Sequence, residues 1–320
     1  MKETGELGNF WKVYGLVGST KMLEAKPPSF RTCRFCGRNE DNTTFKTKAH
    51  ACPELLGQND FICFEECDEC NFKFGAFESH LSKLFIPYLT MVGIRGKRKV
   101  PEFHSRTENN DESTRTIIKM GDDGHRQIIL GLEEDYIVDK VNLCMSLRFR
   151  LPPFRPFYVY KSLVKIGLSI LPPSLVDKYK SAFQWLSENE ECGSFPFVLV
   201  TLLYRKKFAE PSVELYEVNE VFDNNGFYPE LTLIVNFGNL IIQIFLPLSC
   251  EFDYPRSNRK SPQVEVYPGS IYNQDFPQLP ESNPGTKINY NYKFVSIDLG
   301  SDLSCLRDEM MHFKFDSIDT

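Results

Sequence analysis

The chain has 320 residues, of which 42% are hydrophobic and 25% charged, as in ordinary soluble globular proteins. No apolar stretch reaches the roughly 18 residues of a membrane span, and the first residues lack a signal-peptide core, so we expect a cytoplasmic protein without a membrane partner. The net charge of −6 argues against a protein that coats nucleic acid over its whole surface. Residues 1–104 nevertheless carry 15 basic and 13 acidic side chains, against 22 and 30 in the remainder. A polyanion would therefore bind the N-terminal third.

The sequence predicts three parts. Residues 1–28 precede the first cysteine and end in two prolines, which is typical of a linker. Residues 29–104 hold most of the cysteines and are interpreted as one module. A polar stretch over 105–113 then marks a boundary, and residues 105–320 are interpreted as a C-terminal domain for regulation or target recognition.

The cysteines are the strongest compositional signal, since six of the ten fall between residues 33 and 70. Without an export signal, this clustering favours metal ligation over disulfides. Two C-x-x-C pairs offer the four thiolates of a tetrahedral structural zinc site: Cys33, Cys36, Cys67 and Cys70. Cys52 and Cys63 interrupt the pairing; either is an alternative ligand, and we interpret both as core residues.

The spacer between the pairs is long enough to hold structure of its own. Threonines that alternate with Phe45 and lysines over 43–48 predict a strand that ends at His50. A Pro-Glu-Leu-Leu-Gly loop and a second short strand over 61–65 follow. A helix is then predicted near the second pair, with an apolar face made by Phe74, Phe77, Leu81 and Leu84.

In this stretch the chain resembles the HNH (ββα-metal) endonuclease family, in the branch with a His-x-x-Pro-Glu-x-Leu-Gly loop followed by Glu-Cys-x-x-Cys-Asn. The resemblance runs from Cys33 to roughly Phe103. It implies that zinc-bound knuckles clamp a ββα hairpin, and that His50 deprotonates the attacking water. It further implies that Asn59 holds the loop and orients His50, and that Asn71 supplies a ligand to a catalytic Mg²⁺ or Mn²⁺.

One position departs from the family pattern. The residue before the catalytic histidine is often a metal ligand, and here it is Ala49. The missing ligand must come from elsewhere, and we select Glu78, about two helical turns beyond Asn71 on the same face. Glu54 and His80 are the alternatives; if none reaches, the module binds metal weakly or is inactive.

A basic loop follows the predicted helix. Four cations lie within five residues around a glycine: Arg95, Lys97, Arg98 and Lys99. Phosphates of a nucleic-acid backbone are a natural partner for such a loop, and a solvated turn is the alternative. A second basic cluster either faces nucleic acid or binds a small anionic regulator: Arg148, Arg150, Arg155, Lys161 and Lys165.

The C-terminal part mixes helices and strands. A helix is predicted over 158–171, stopped by Pro172-Pro173, and a second one from an N-cap at Ser174 to about Ser187. Strands are predicted over 197–204, 213–221, 231–237, 240–246 and 292–297, with a hairpin at Gly238-Asn239 and a long loop over 253–290. The expected fold class is α+β with a mainly antiparallel sheet.

The leading expectation is metal-dependent endonucleolytic cleavage of nucleic acid, DNA rather than RNA. By analogy of architecture, an HNH domain joined to a second domain resembles effectors of bacterial defence against phage. The competing hypothesis is a non-catalytic zinc module that binds nucleic acid or protein, with a C-terminal domain that senses a ligand. The sequence leaves open a homo-oligomer and a small-molecule or protein activator.

Overall fold

A computed structural model describes residues 10–107, 111–139, 141, 144–187, 197–203, 208–220, 228–246, 265, 267, 293–296 and 308–314. These residues form five α-helices and three β-sheets in which every strand pair is antiparallel. The predicted α+β class is therefore confirmed. Within this described part, no helix combines the length and the apolar character that a membrane crossing requires.

The largest sheet contains β1 (Tyr14–Ser19), β7 (Phe197–Leu202), β8 (Ser212–Val218), β9 (Leu231–Phe237), β10 (Leu240–Phe245) and β11 (Lys293–Ser296). Their order is β1-β8-β9-β10-β7-β11. Every residue of β9 and β10 is buried, because both faces of the sheet are covered. The two strands form the predicted hairpin, with Phe237 opposite Leu240 and Gly238 at a φ of 52° in the turn.

Two smaller sheets have three strands each. One contains β2 (Phe103–His104), β3 (Ile117–Met120) and β4 (Arg126–Ile129), and the other contains β5 (Tyr136–Asp139), β6 (Cys144–Arg150) and β12 (Asp308–Lys314). The sequence pattern does not predict these strands. β3, β4 and β5 have four residues each and are partly exposed, so they lack the long apolar run that marks a buried strand.

The helices are α1 (Phe10–Val13), α2 (Asp68–Val92), α3 (Pro156–Ser169), α4 (Pro173–Val176) and α5 (Lys180–Ser187). The apolar face predicted for α2 is buried along its length, which confirms that helix. Gly93 ends α2 in the left-handed conformation, with a φ of 68° that glycine adopts without strain.

α3 is the central element of the core. Every residue from Val159 to Ser169 is buried. The helix lies between α2 and the large sheet: Gly167 faces the side chains of Leu233 and Leu246. One apolar cluster contains side chains of α2, α3 and the large sheet. The core therefore includes residues from both sides of the boundary predicted at residue 104. The domain boundaries at residues 28 and 104 stay predictions.

The strand predicted before His50 is wrong for residues 43–48. In place of a ladder, the Asp68 carboxylate accepts hydrogen bonds from the backbone N–H groups of Lys46 (3.1 Å) and Thr47 (2.8 Å). Because a side chain satisfies this backbone, no neighbouring strand is needed. The hairpin is reduced to a single bridge between His50 and Ile62.

The single helix predicted from Ser174 is also wrong. Pro172 occupies the N-cap position of α4, and Ser174 lies inside that helix. The chain then turns before α5, and the buried Tyr179 in this turn donates a hydrogen bond to Glu217 of β8. The loop predicted over 253–290 falls outside the described residues, apart from 265 and 267.

Candidate metal centre and histidine site

The four cysteines of the two C-x-x-C pairs converge. Their sulfur atoms all lie within 4.8 Å of one another, and the Sγ atoms of Cys36 and Cys67 are 3.7 Å apart. A tetrahedron with metal–sulfur bonds of about 2.3 Å places its sulfurs about 3.8 Å apart. The cluster can therefore hold a structural metal such as zinc.

Local backbone geometry builds this cluster. The first pair turns tightly at Gly37 (φ of 72°), whose N–H donates to the Cys33 carbonyl oxygen at 2.8 Å. The second pair spans the start of α2, with Cys67 at its N-cap position. A hydrogen bond from the Cys70 thiol lowers the pKa of Cys33, which favours the thiolate that binds metal.

Cys52 and Cys63 are not part of the cluster. Both are buried, and burial raises the pKa of each thiol to about 12. They therefore remain protonated and fill the core beside the loop, which agrees with their interpretation as core residues.

His50 lies on the loop between the two pairs, with its side chain 20% exposed. Its Nε2 atom is 3.5 Å from Oε2 of Glu54, while its Nδ1 atom is enclosed and has no hydrogen-bond partner among the described residues. A water has to approach this ring from the Nε2 side, where the Glu54 carboxylate lies. Ala49 is buried and offers no ligand atom.

Asn59 closes the loop that follows His50. Its Nδ2 atom donates to the carbonyl oxygens of Cys52 (3.2 Å) and Gly57 (2.8 Å), and its Oδ1 atom accepts from the N–H of Phe61 (3.1 Å). Three hydrogen bonds from one buried side chain fix both ends of the loop. The structure thus gives Asn59 contacts with the loop, as a loop-holding role would require.

The two residues predicted as catalytic-metal ligands both lie on α2. Asn71 is in the first helical turn, partly exposed, and its N–H donates to the Cys67 carbonyl oxygen. Glu78 is 26% exposed, and its Oε1 atom is 3.6 Å from Nζ of Lys165. The same Nζ atom donates a 2.6 Å hydrogen bond to the carbonyl oxygen of His50. The Lys165 ammonium therefore contacts both the Glu78 carboxylate and the His50 backbone.

Of the two alternative ligands, Glu54 lies beside the His50 imidazole, and His80 binds the backbone of Arg155. Nδ1 of His80 accepts a hydrogen bond from the backbone N–H of Arg155 at 2.9 Å, at the N-cap of α3. Burial lowers the pKa of His80, so it remains neutral and able to accept this bond. His80 acts as a cap for α3.

Lys165 and Glu66 join this site, and neither is predicted from the sequence to belong to it. Their side chains are 1% and 0% exposed, and Nζ lies 3.1 Å from Oε2 of Glu66. Burial alone would lower the pKa of Lys165, but the carboxylates of Glu66 and Glu78 outweigh it and raise that pKa. The lysine is therefore charged. Its separation of 115 residues from His50 leaves no local sequence signal.

The basic loop lies against the loop that carries and follows His50, which is called the histidine loop below. The N–H of Gln58 donates to the carbonyl oxygen of Arg95 at 3.0 Å, and a Cβ atom on Gly96 would stand 3.4 Å from the Glu54 carbonyl oxygen. Lys97 and Arg98 are exposed. The predicted nucleic-acid loop thus contacts the loop that follows the predicted catalytic histidine.

The second basic cluster does not form one surface. Lys161 and Lys165 are buried, so they cannot face nucleic acid in this fold. Nζ of Lys161 lies 5.0 Å and 5.2 Å from the ring centroids of Phe157 and Trp185, and donates to the Leu186 carbonyl oxygen at 3.5 Å.

Comparisons of the chain with protein-family models, with curated proteins and with solved structures find no significant match. The resemblance to HNH nucleases therefore rests on the motif residues themselves.

Proposed function

We propose that this chain is a metal-dependent HNH endonuclease that hydrolyses phosphodiester bonds of nucleic acid, DNA in preference to RNA. The observation that carries the proposal is the His50–Glu54 pair, with 3.5 Å between Nε2 and Oε2, on a loop held by Asn59 and flanked by the basic loop. Imidazole is the side chain best suited to accept a proton near neutral pH. The neighbouring cations would attract the phosphate backbone.

In the proposed reaction, a water at Nε2 of His50 gives its proton to the imidazole as its oxygen attacks phosphorus. The bond from phosphorus to the leaving sugar oxygen breaks, and that oxygen takes a proton from solvent. Glu54, next to Nε2, stabilises the imidazolium that forms. Asn59 keeps the loop closed, so that the ring holds its position during the proton transfer.

The oxygen donors proposed as ligands suit a hard divalent cation. Glu54 and Glu78 are 22% and 26% exposed, and Asn71 carries an amide oxygen, all donors that Mg²⁺ or Mn²⁺ prefers. We propose Asn71 and Glu78 as ligands, with Glu54 as the alternative carboxylate. When bound, the ion would neutralise charge on the phosphate and the leaving oxygen. Zinc in the cysteine cluster would be structural.

Plasmid cleavage in Mg²⁺ or Mn²⁺ tests this proposal, with wild type beside His50→Ala and Asn71→Ala. Loss of a general base lowers the rate by about 10²- to 10⁴-fold, and we expect both variants to keep their zinc. His125→Ala is the matched control, because that exposed histidine lies in the turn between β3 and β4 and has no proposed role, so it should cleave as wild type does. Cleavage that persists in His50→Ala would refute the proposed mechanism.

The second candidate is a non-catalytic zinc module with a ligand-sensing C-terminal domain. Two observations favour it: Ala49 offers no ligand, and Glu78 is already paired with Lys165. Binding of nucleic acid without cleavage under either metal would support it. A role in bacterial defence against phage is part of the nuclease proposal; loss of protection in His50→Ala cells challenged with phage would test it.

A further inference from the structure

Lys165 reaches the histidine loop from the centre of the core. It projects from α3, which belongs to the C-terminal part, and its side chain is 1% exposed. Its ammonium lies 2.6 Å from the His50 carbonyl oxygen, 3.1 Å from Oε2 of Glu66 and 3.6 Å from Oε1 of Glu78. We propose that Lys165 is a positioning residue of the His50 site, through which the C-terminal part holds the histidine backbone and the Glu78 carboxylate in place.

The chemistry of the lysine suits this role. The ammonium donates a hydrogen bond to the His50 carbonyl oxygen and forms ion pairs with the carboxylates of Glu66 and Glu78, so one atom connects the histidine loop with both acidic side chains. Burying such a charge is costly unless it is paired, and the two carboxylates supply the pairing. An apolar residue would fill the same space without connecting the three segments.

The burial of Lys165 also excludes direct contact with substrate. A side chain that solvent does not reach cannot touch a bound phosphate, so its influence must pass through His50 and Glu78. The catalytic consequence rests on the proposed function, whereas the contact between Lys165 and the His50 backbone is present in an inactive protein as well.

A second connection fixes α3 relative to the knuckles. Nη1 of Arg34, inside the first C-x-x-C pair, donates to the carbonyl oxygens of Leu168 (3.0 Å), Ser169 (3.1 Å) and Leu171 (3.0 Å) at the end of α3. The end of α3 is therefore tied to the cysteine cluster, and its middle to the histidine loop. With two attachments, α3 cannot shift without moving the site.

The test compares Lys165→Met with Lys161→Met, a buried lysine one turn earlier on α3 whose ammonium lies among Phe157, Trp185 and the Leu186 carbonyl. Loss of supporting groups around a site lowers activity by about 10- to 100-fold. We expect a fall in kcat of that size for Lys165→Met, with KM and DNA affinity unchanged. Lys161→Met should have the wild-type kcat at temperatures at which the variant is folded. Equal kcat values in the two variants would overturn the inference.

A second measurement is independent of activity. In protein labelled with ¹⁵N in histidine rings, the His50 signals are identified by their absence in His50→Ala. We expect Lys165→Met to shift or broaden them, and Lys161→Met to leave them in place. If the wild-type protein does not cleave, the nuclease proposal fails, and the His50 signals alone decide the role of Lys165. Unchanged His50 signals in Lys165→Met would refute the positioning role of Lys165.

Lys165→Met leaves the Glu66 carboxylate buried without its counter-charge, which can prevent folding. The double variant Lys165→Met with Glu66→Gln is therefore measured as well. Removing both charges should restore zinc content and unfolding temperature, but neither kcat nor the His50 signals. Restoration of wild-type kcat or of the signals by the double variant would reduce Lys165 to a charge partner for Glu66 and overturn the positioning role.

Discussion

The region around His50 and the large sheet are held together in different ways. Between Cys33 and the start of α2 there is almost no regular structure, and side chains such as Asp68 and Asn59 satisfy the backbone. In the large sheet, strands such as β9 and β10 are buried along their whole length and pair through regular ladders. The first region depends on a few polar contacts and on the cysteine cluster, whereas the second depends on apolar area. Single substitutions should therefore affect the two regions differently.

The largest effect is expected for Cys67→Ser, which removes one of the four sulfur ligands. A structural zinc ion stabilises a small module by about 10 kcal/mol or more, so the region around His50 should lose its structure while the large sheet remains. Zinc content measured by elemental analysis and limited proteolysis check this. Cys52→Ala is the control, since that buried thiol lies outside the cluster. Full zinc occupancy in Cys67→Ser would contradict the assigned ligands.

Leu233→Ala should have the next largest effect. Leu233 is fully buried in β9 and packs against α3 at Gly167, and such truncations cost about 2–5 kcal/mol. We expect a lower free energy of unfolding, measured by urea denaturation, with zinc retained. Leu16→Ala in β1 is the control, because its side chain is 46% exposed and should change stability by less than about 0.5 kcal/mol. Loss of zinc at urea concentrations too low to unfold the protein would show that the stabilities of the two regions cannot be separated.

Asn59→Ala tests the polar contacts of the first region. It leaves two carbonyl oxygens and one N–H without their partner, which costs about 1–3 kcal/mol. We expect that loss in urea denaturation, together with faster hydrogen exchange at the N–H of Phe61. Gln58→Ala, the exposed neighbour, should change neither. Normal protection at Phe61 in Asn59→Ala would argue against the loop-closing role.

The smallest effect is expected in the basic loop. Replacing Lys97 and Arg98 by alanine should weaken DNA binding. The slope of the logarithm of affinity against the logarithm of salt concentration should fall in magnitude by about one for each phosphate that the loop no longer neutralises. Fluorescence anisotropy over a range of salt concentrations measures both. Lys21→Ala with Lys26→Ala removes the same charge from exposed positions far along the chain from the loop and is the control. Identical salt slopes for the two double variants would refute a specific role for the loop.

Long, uniform patterns in the sequence predicted the regular elements well. α2, α3 and the β9–β10 hairpin each follow from an apolar face or an apolar run with a clear stop. β3 and β5 were missed because four partly exposed residues carry too little periodicity. The strand before His50 was predicted wrongly because the pattern of its own residues does not reveal that the Asp68 side chain binds their backbone.

The candidate site shows the same limit. The spacing of the cysteines was enough to predict their cluster, since each C-x-x-C pair is local. Lys165 and Glu66 could not be predicted, because their contact joins segments far apart in sequence, and a lysine in a helix is normally a surface residue. Charged residues buried beside a site become visible only in three dimensions.

The pairing of β1 with β8 has a consequence for the order in which the protein forms during synthesis. The N–H of Val213 in β8 donates to the hydroxyl of Thr20, 193 residues earlier in the chain, and His50 meets Lys165 across 115 residues. A ribosome therefore releases the histidine loop long before its support exists. The histidine loop therefore emerges without its support and gains it once α3 has left the ribosome.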